Sequence, residues 1–115
     1  MTRVIVESPY RGSTAEILAR NSAYRDRCIM DCLNRGEAPI ASHRMFPGIL
    51  NDDDPKQREL GIEAGLAWVP VADLMAIYTD FGISAGMERA MLRARKCGVR
   101  IELRELRTDK FEAVA

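Results

Sequence analysis

The sequence predicts an α/β fold: a four-stranded parallel sheet in the order 2-1-3-4, with helices on both faces. Three observations predict it. Four short apolar or alternating runs, at residues 3–7, 38–42, 72–79 and 99–106, have strand character. Three longer stretches between them carry apolar residues at spacings near three and four, as amphipathic helices do. Glycine, proline, serine or aspartate stands at the junctions, where helices are capped and strands turn.

The first strand holds Val4, Ile5 and Val6, β-branched residues suited to burial on both faces. It ends in the turn cluster Ser8-Pro9-Tyr10-Arg11-Gly12. Ser13 or Thr14 then caps a helix over 15–33, with Ile17, Leu18, Tyr24, Cys28, Ile29 and Cys32 as its apolar members. Gly36 ends that helix in the left-handed conformation. Residues 38–42 form the second strand, short and with Pro39 near its start, and His43 follows at its C-terminal end. Residues 45–50 make an apolar loop or flap. Asp54 at the cap, Pro55 at the first helical position and Gln57 in the capping-box position open a helix that runs to about residue 67. Gly61 and Gly65 on it imply close packing against a neighbour.

Residues 72–79 are the most continuous apolar run and the central strand. A loop over 80–84 leads into a helix over 85–97, with Met87, Ala90, Met91 and Ala94 on one stripe. Arg93, Arg95 and Lys96 crowd its last turn, as the helix dipole favours, and Gly98 ends it. Residues 99–106 alternate apolar and charged, which predicts an edge strand with one wet face. The domain spans 1–107 and residues 108–115 form a loose tail. Strict alternation of strand and helix with right-handed crossovers gives parallel strands. The flavodoxin-like order 2-1-3-4 puts the switch point between the first and third strands, so 8–12 faces 80–87 with Ser42 and His43 on the same rim.

Composition narrows the function classes. A chain of 115 residues makes one domain with one core. Basic and acidic residues balance at 17 each, which argues against gripping a nucleic-acid polymer through its backbone. No apolar run approaches the roughly 20 residues of a membrane span, and 1–10 lacks the features of a signal peptide. Three cysteines without an export signal predict reduced thiols in a cytoplasm.

Ser84-x-Gly86 at a helix start is the best candidate for holding an anion, since Ser84 can cap the helix or turn to a ligand. Tyr10 and Arg11 suit stacking on a base and pairing with a phosphate, although both also suit an ordinary surface loop. His43, the single histidine, is the natural acid–base or phosphate contact, or else a strand-end hydrogen bond. The expected ligand set is Ser8, Pro9, Tyr10, Arg11, Gly12, His43, Asp80, Ser84, Gly86 and Met87. Glu7, Asp80 and Glu88 are the carboxylates nearest the inferred crevice and the only catalytic candidates. Cys28 and Cys32 share a helix face but lack a second ligand pair, and Asp52-Asp53-Asp54 lacks the glycine and distal glutamate of a calcium loop. Neither metal nor cofactor is expected. Self-association is expected, with 45–50 or Trp68 covered by a partner copy.

Ser8-Pro9-Tyr10, Asn21, residues 36–43 (GEAPIASH) and Gly82-Ile83-Ser84-x-Gly86-Met87 together resemble a small domain of bacterial and bacteriophage genomes. That domain is similar to the nucleoside 2-deoxyribosyltransferase-like superfamily, and the resemblance runs to about residue 106. It implies a compact Rossmann-like sheet and a nucleoside- or nucleotide-shaped pocket. It also implies a glutamate nucleophile four residues past the glycine of the turn-and-helix motif, a position that holds Ala90 here. Glu88 sits two residues earlier, roughly 200° away around the helix. The leading expectation is therefore a protein, phage-encoded, that binds a nucleotide or nucleoside derivative and sequesters or senses it. The rivals are a divergent N-glycosidase or deoxyribosyltransferase using Glu88, Glu7 or Asp80, and a structural or protein-interaction module.

Overall fold

The computed structural model describes residues 1–106. The expected domain limit at 107 and the tail over 108–115 lie outside the described residues. Nine elements follow in order. They are β1 (Arg3–Glu7), α1 (Ala15–Asn34), β2 (Ala38–Ile40), α2 (Ser42–Met45), α3 (Pro55–Leu66), a 3-10 turn (Val69–Val71), β3 (Leu74–Tyr78), α4 (Ala85–Lys96) and β4 (Arg100–Arg104). The strands form one parallel sheet in the order β2-β1-β3-β4, the Rossmann-like arrangement that the alternation predicts.

Period-two alternation along the strands divides the core in two. Val4, Val6, Leu74, Ala76 and Tyr78 pack against Tyr24, Cys28 and Cys32 of α1. Ile5, Met75 and Ile77 face the other way, against Leu66 of α3 and Met87, Ala90 and Ala94 of α4. Helices thus cover both faces. Among the described residues no helix is long and apolar enough to cross a membrane.

Local chemistry explains the boundaries. Thr14 caps α1 by accepting the Ile17 N–H at 3.1 Å, and Gly36 takes φ 76° just past its end. Asp54 caps α3 through the Lys56 N–H at 3.0 Å. Gln57 does not close a capping box there. Its side-chain oxygen takes the Asn51 N–H at 2.8 Å and so braces the chain before the cap. Gly65 has the close neighbour its spacing predicts, since a Cβ on it would lie 2.5 Å from Ser42 Oγ.

Two expectations need correction. The second strand stops at Ile40, and Ser42 to Met45 turn as a short helix, seated where Gly65 lets Ser42 approach α3. The last strand lies at the sheet edge, but its pattern does not divide into an apolar inside and a charged outside. Leu103 is 61% exposed while Arg104 is only 5% exposed. Arg104 is inside because it has partners there. Its guanidinium donates to both oxygens of Glu37 at 2.7 and 2.6 Å and to the Tyr78 hydroxyl at 3.2 Å, a bidentate pair that compensates a buried charge.

Candidate functional site

The C-terminal ends of β1, β2 and β3 open on one rim, and a cavity of about 510 Å³ lies there on the α3–α4 face. Its volume falls in the range of small-molecule sites, and its place beside the β1–β3 boundary is the crevice where open α/β sheets bind ligands. The floor comes from β1 and α2, the wall from α3 and α4, and the mouth from the loops.

Glu7 reaches the floor through strand periodicity. It is two residues past Ile5 and projects to the same face, beyond the packed core. Its carboxyl has no hydrogen bond or ion pair among the described residues, and burial alone pushes it up to about 8. Near neutrality it is therefore a protonated acid, a donor as well as an acceptor. Beside it Ser8, 5% exposed, shares a 2.7 Å hydrogen bond with Nε2 of His43. His43 lies on α2, half-buried with Arg25 close by, and desolvation followed by the Arg25 charge brings it down to about 4. It is neutral at pH 7 and so offers a ligand a donor or an acceptor without a charge.

The wall is apolar, with Phe46, Leu50, Ile62, Leu66, Met87 and Ala90. At the mouth the Tyr10 hydroxyl donates to Asp52 at 2.7 Å, and the Tyr10 ring meets His43 edge-on with centroids 6.4 Å apart. Arg11, Arg58 and Arg89 complete the mouth. Arg89 is held by Glu59 at 2.5 Å and Glu63 at 2.6 Å, whereas Arg11 and Arg58 form no ion pair among the described residues. Ser84 caps α4 by accepting the Met87 N–H at 3.3 Å, which leaves Ala85 and Gly86 as first-turn backbone on the cavity. A Cβ on Gly86 would meet only Ser84 Oγ, at 3.9 Å, so packing does not demand glycine there.

Helix α1 passes behind the rim on the opposite face of the sheet and holds three of its segments. Asn21, 2% exposed, donates to the carbonyls of Tyr10 and Arg11 at 3.3 and 3.1 Å. The Tyr24 hydroxyl donates to the Asp80 carboxylate and accepts the Asp80 N–H at 3.0 Å. Arg25 donates to the His43 carbonyl at 3.3 Å.

The residues expected at the site divide accordingly. Glu7, Ser8, Pro9, Tyr10, Arg11, His43, Ser84, Gly86 and Met87 line the cavity. Gly12, Asp80 and Glu88 do not. Gly12 packs on the start of α1, where a Cβ would fall 2.7 Å from Ile17 and 2.9 Å from the Leu18 nitrogen. Asp80 turns to the α1 face, taking the Tyr24 hydroxyl and, at 2.9 Å, the Leu106 N–H. Glu88 lies away from the cavity, on a shallow depression with Ile83, Met91, Leu92 and Arg95. Ala90, at the position where the resemblance implies a nucleophile, does line the cavity and presents a methyl group.

Sequence reasoning missed Phe46, Leu50, Asp52, Arg58, Ile62 and Arg89. Residues 45–50 were legible as an apolar loop, but nothing in the sequence aims them at the rim. Asp52 read as helix entry, and its partner Tyr10 is 42 positions away. Among the described residues no three His, Cys, Asp or Glu side chains gather as a metal site.

A family model described as a domain of unknown function (DUF7768) matches residues 2–104. No curated protein matches the chain.

Proposed function

This chain belongs to the family described as a domain of unknown function (DUF7768), and we propose that its rim cavity binds a nucleotide or nucleoside-derived small molecule without cleaving it. The observation that carries the reading is the joint wall. The turn after β1 and the capped start of α4, distant in sequence, line one cavity at the topological switch point. Its size suits a mononucleotide, and its apolar wall suits a base or sugar face. The resemblance to the deoxyribosyltransferase-like superfamily supports the same class of ligand. Ala90 supports binding over transfer, because an alanine methyl cannot attack a sugar carbon. Retention without cleavage fits sequestration or sensing of a nucleotide metabolite.

One observation favours a second reading. Glu7 brings a lone carboxyl to the cavity floor, where it serves an N-glycosidase that must protonate a departing base. A single panel separates the two. The protein is incubated with nucleosides, nucleotides and dinucleotides, with thermal shift read for binding and chromatography for free base. A raised melting temperature with no base released is the expected result. Base release that disappears in Glu7→Gln establishes the second reading, and a panel that shifts nothing removes both.

A further inference from the structure

Resting on the nucleotide reading, we propose that the ligand enters with its uncharged ring end inward, on Glu7, Ser8 and His43, and keeps a phosphate outward on Arg11 and Arg58. The cavity is polarised along its depth. Its floor carries three hydrogen-bonding groups, Glu7, Ser8 and His43, with no salt bridge to any of them among the described residues. Its mouth carries arginines, of which Arg89 is already neutralised by Glu59 and Glu63. Arg11 and Arg58 are exposed and without an ion pair among the described residues, so they are the guanidiniums available to an anion.

Depth decides the orientation. A phosphate on the floor would be set against a carboxyl group that has no cation to offset it. An uncharged heteroaromatic ring there gains a proton donor in Glu7 for a ring nitrogen or carbonyl. It also gains apolar contact with Leu66, Met87 and Ala90. The Ser8–His43 pair offers a further acceptor and donor to ring or sugar groups.

Glu7 acts as a donor only while protonated, so affinity falls as pH rises through about 8. Few other groups facing the cavity titrate in that interval. His43 has lost its proton well below it, and Tyr10, which burial and Asp52 hold up at about 12, keeps its own. The other charged groups on the cavity are Arg11, Asp52, Arg58 and Arg89. The phosphate's second ionisation, near pH 6, is complete before the interval begins.

The test is calorimetric titration with adenosine, cytidine and their 5′-monophosphates, whose rings stay uncharged across the interval, at pH 7.0 and 9.5, on the full chain and on Glu7→Gln, Arg11→Ala and Arg58→Ala. The expected result is a monophosphate preference of about tenfold or more over the nucleoside. That preference shrinks in both arginine variants. Wild-type affinity falls about thirtyfold between the two pH values, as one ionisation about 1.5 pH units below the upper limit requires, and Glu7→Gln stays flat. Nucleotide binding with equal affinity for nucleoside and monophosphate, or with the same pH profile in wild type and Glu7→Gln, overturns the orientation and leaves the nucleotide reading standing. Failure of all four compounds to bind removes both.

Discussion

Glu37→Gln tests the buried ion pair that ties the turn between α1 and β2 to the edge strand β4. Arg104 is 3% exposed on its side chain and Glu37 13%, and their two hydrogen bonds measure 2.7 and 2.6 Å. Breaking a buried pair by removing one partner costs about 3–5 kcal/mol, because the remaining charge stays desolvated. Two features place the expected loss at the lower end. Arg104 keeps Glu102 at 3.0 Å and the Tyr78 hydroxyl at 3.2 Å, and Glu37 lies close under the surface. A loss of about 3 kcal/mol is a large share of the roughly 5–15 kcal/mol that holds a domain of this size. Urea denaturation at pH 7 measures it. Replacing both partners, Glu37→Met with Arg104→Met, should recover most of the loss, since no charge is then left unpaired. The pH dependence has a definite sign. The Arg104 hydrogen bond holds the Glu37 carboxyl below its usual 4.5, so its stabilisation is present above pH 4.5 and is lost as pH falls through the lowered value. Glu37→Gln should therefore be less acid-sensitive than wild type. A loss below about 0.5 kcal/mol, the magnitude of an exposed pair, or a double variant as unstable as the sum of its parts, refutes the reasoning.

Two further outcomes are expected. Unfolded chains release the Glu7 proton near 4.5 while the folded state holds it to about 8, so wild-type stability falls as pH rises across that window. Unfolding free energies of Glu7→Gln and wild type from urea denaturation should then change relative to each other by about 4 kcal/mol between pH 5 and 9, and parallel values would count against a protonated acid on the floor. Two helical glycines, Gly65 against α2 and Gly86 on the cavity, should respond oppositely to alanine. Gly65→Ala drives a Cβ into Ser42 and should lose about 1–3 kcal/mol, whereas Gly86→Ala meets nothing within 3.4 Å and should gain about 0.5 kcal/mol. Thermal melts that move in the same direction for both would show that the spacing between α2 and α3 is not what fixes Gly65.

The legible part of this molecule is the part encoded by near neighbours in the chain. Val4 to Val6 and residues 74–78 announce strands by composition, Thr14 and Asp54 announce helix starts by their side chains, and Gly36 and Gly98 announce ends by the φ values of 76° and 70° they adopt. What sequence reading could not supply was set by contacts across long separations. Arg104 looks like a solvent-facing arginine of an alternating strand until Glu37, 67 positions earlier, is beside it. The helical turn over Ser42 to Met45 replaces a predicted strand end because Gly65 opens a place for it. At the site, the loops at the ends of β1 and β3 were readable from their turn residues. The segment between β2 and α3 that forms much of the apolar wall was not, because its role depends on where α3 lies. Asp80 shows the converse error: it is near the crevice along the chain and on the wrong face in space.

Asn21, Tyr24 and Arg25 lie within little more than one turn of α1, about 6 Å of helix axis, yet each holds a different segment of the rim. The opening of the cavity is consequently registered to a single short stretch of helix on the far side of the sheet. Arg11 and Arg58 at the mouth, exposed and without an ion pair among the described residues, can be exchanged to suit another ligand without releasing any of these anchors. A change at any of the three anchors displaces a whole loop, so the frame and the lining answer to different parts of the sequence and can drift independently. Recognition in this domain can thus diversify at the front while its geometry is kept from behind.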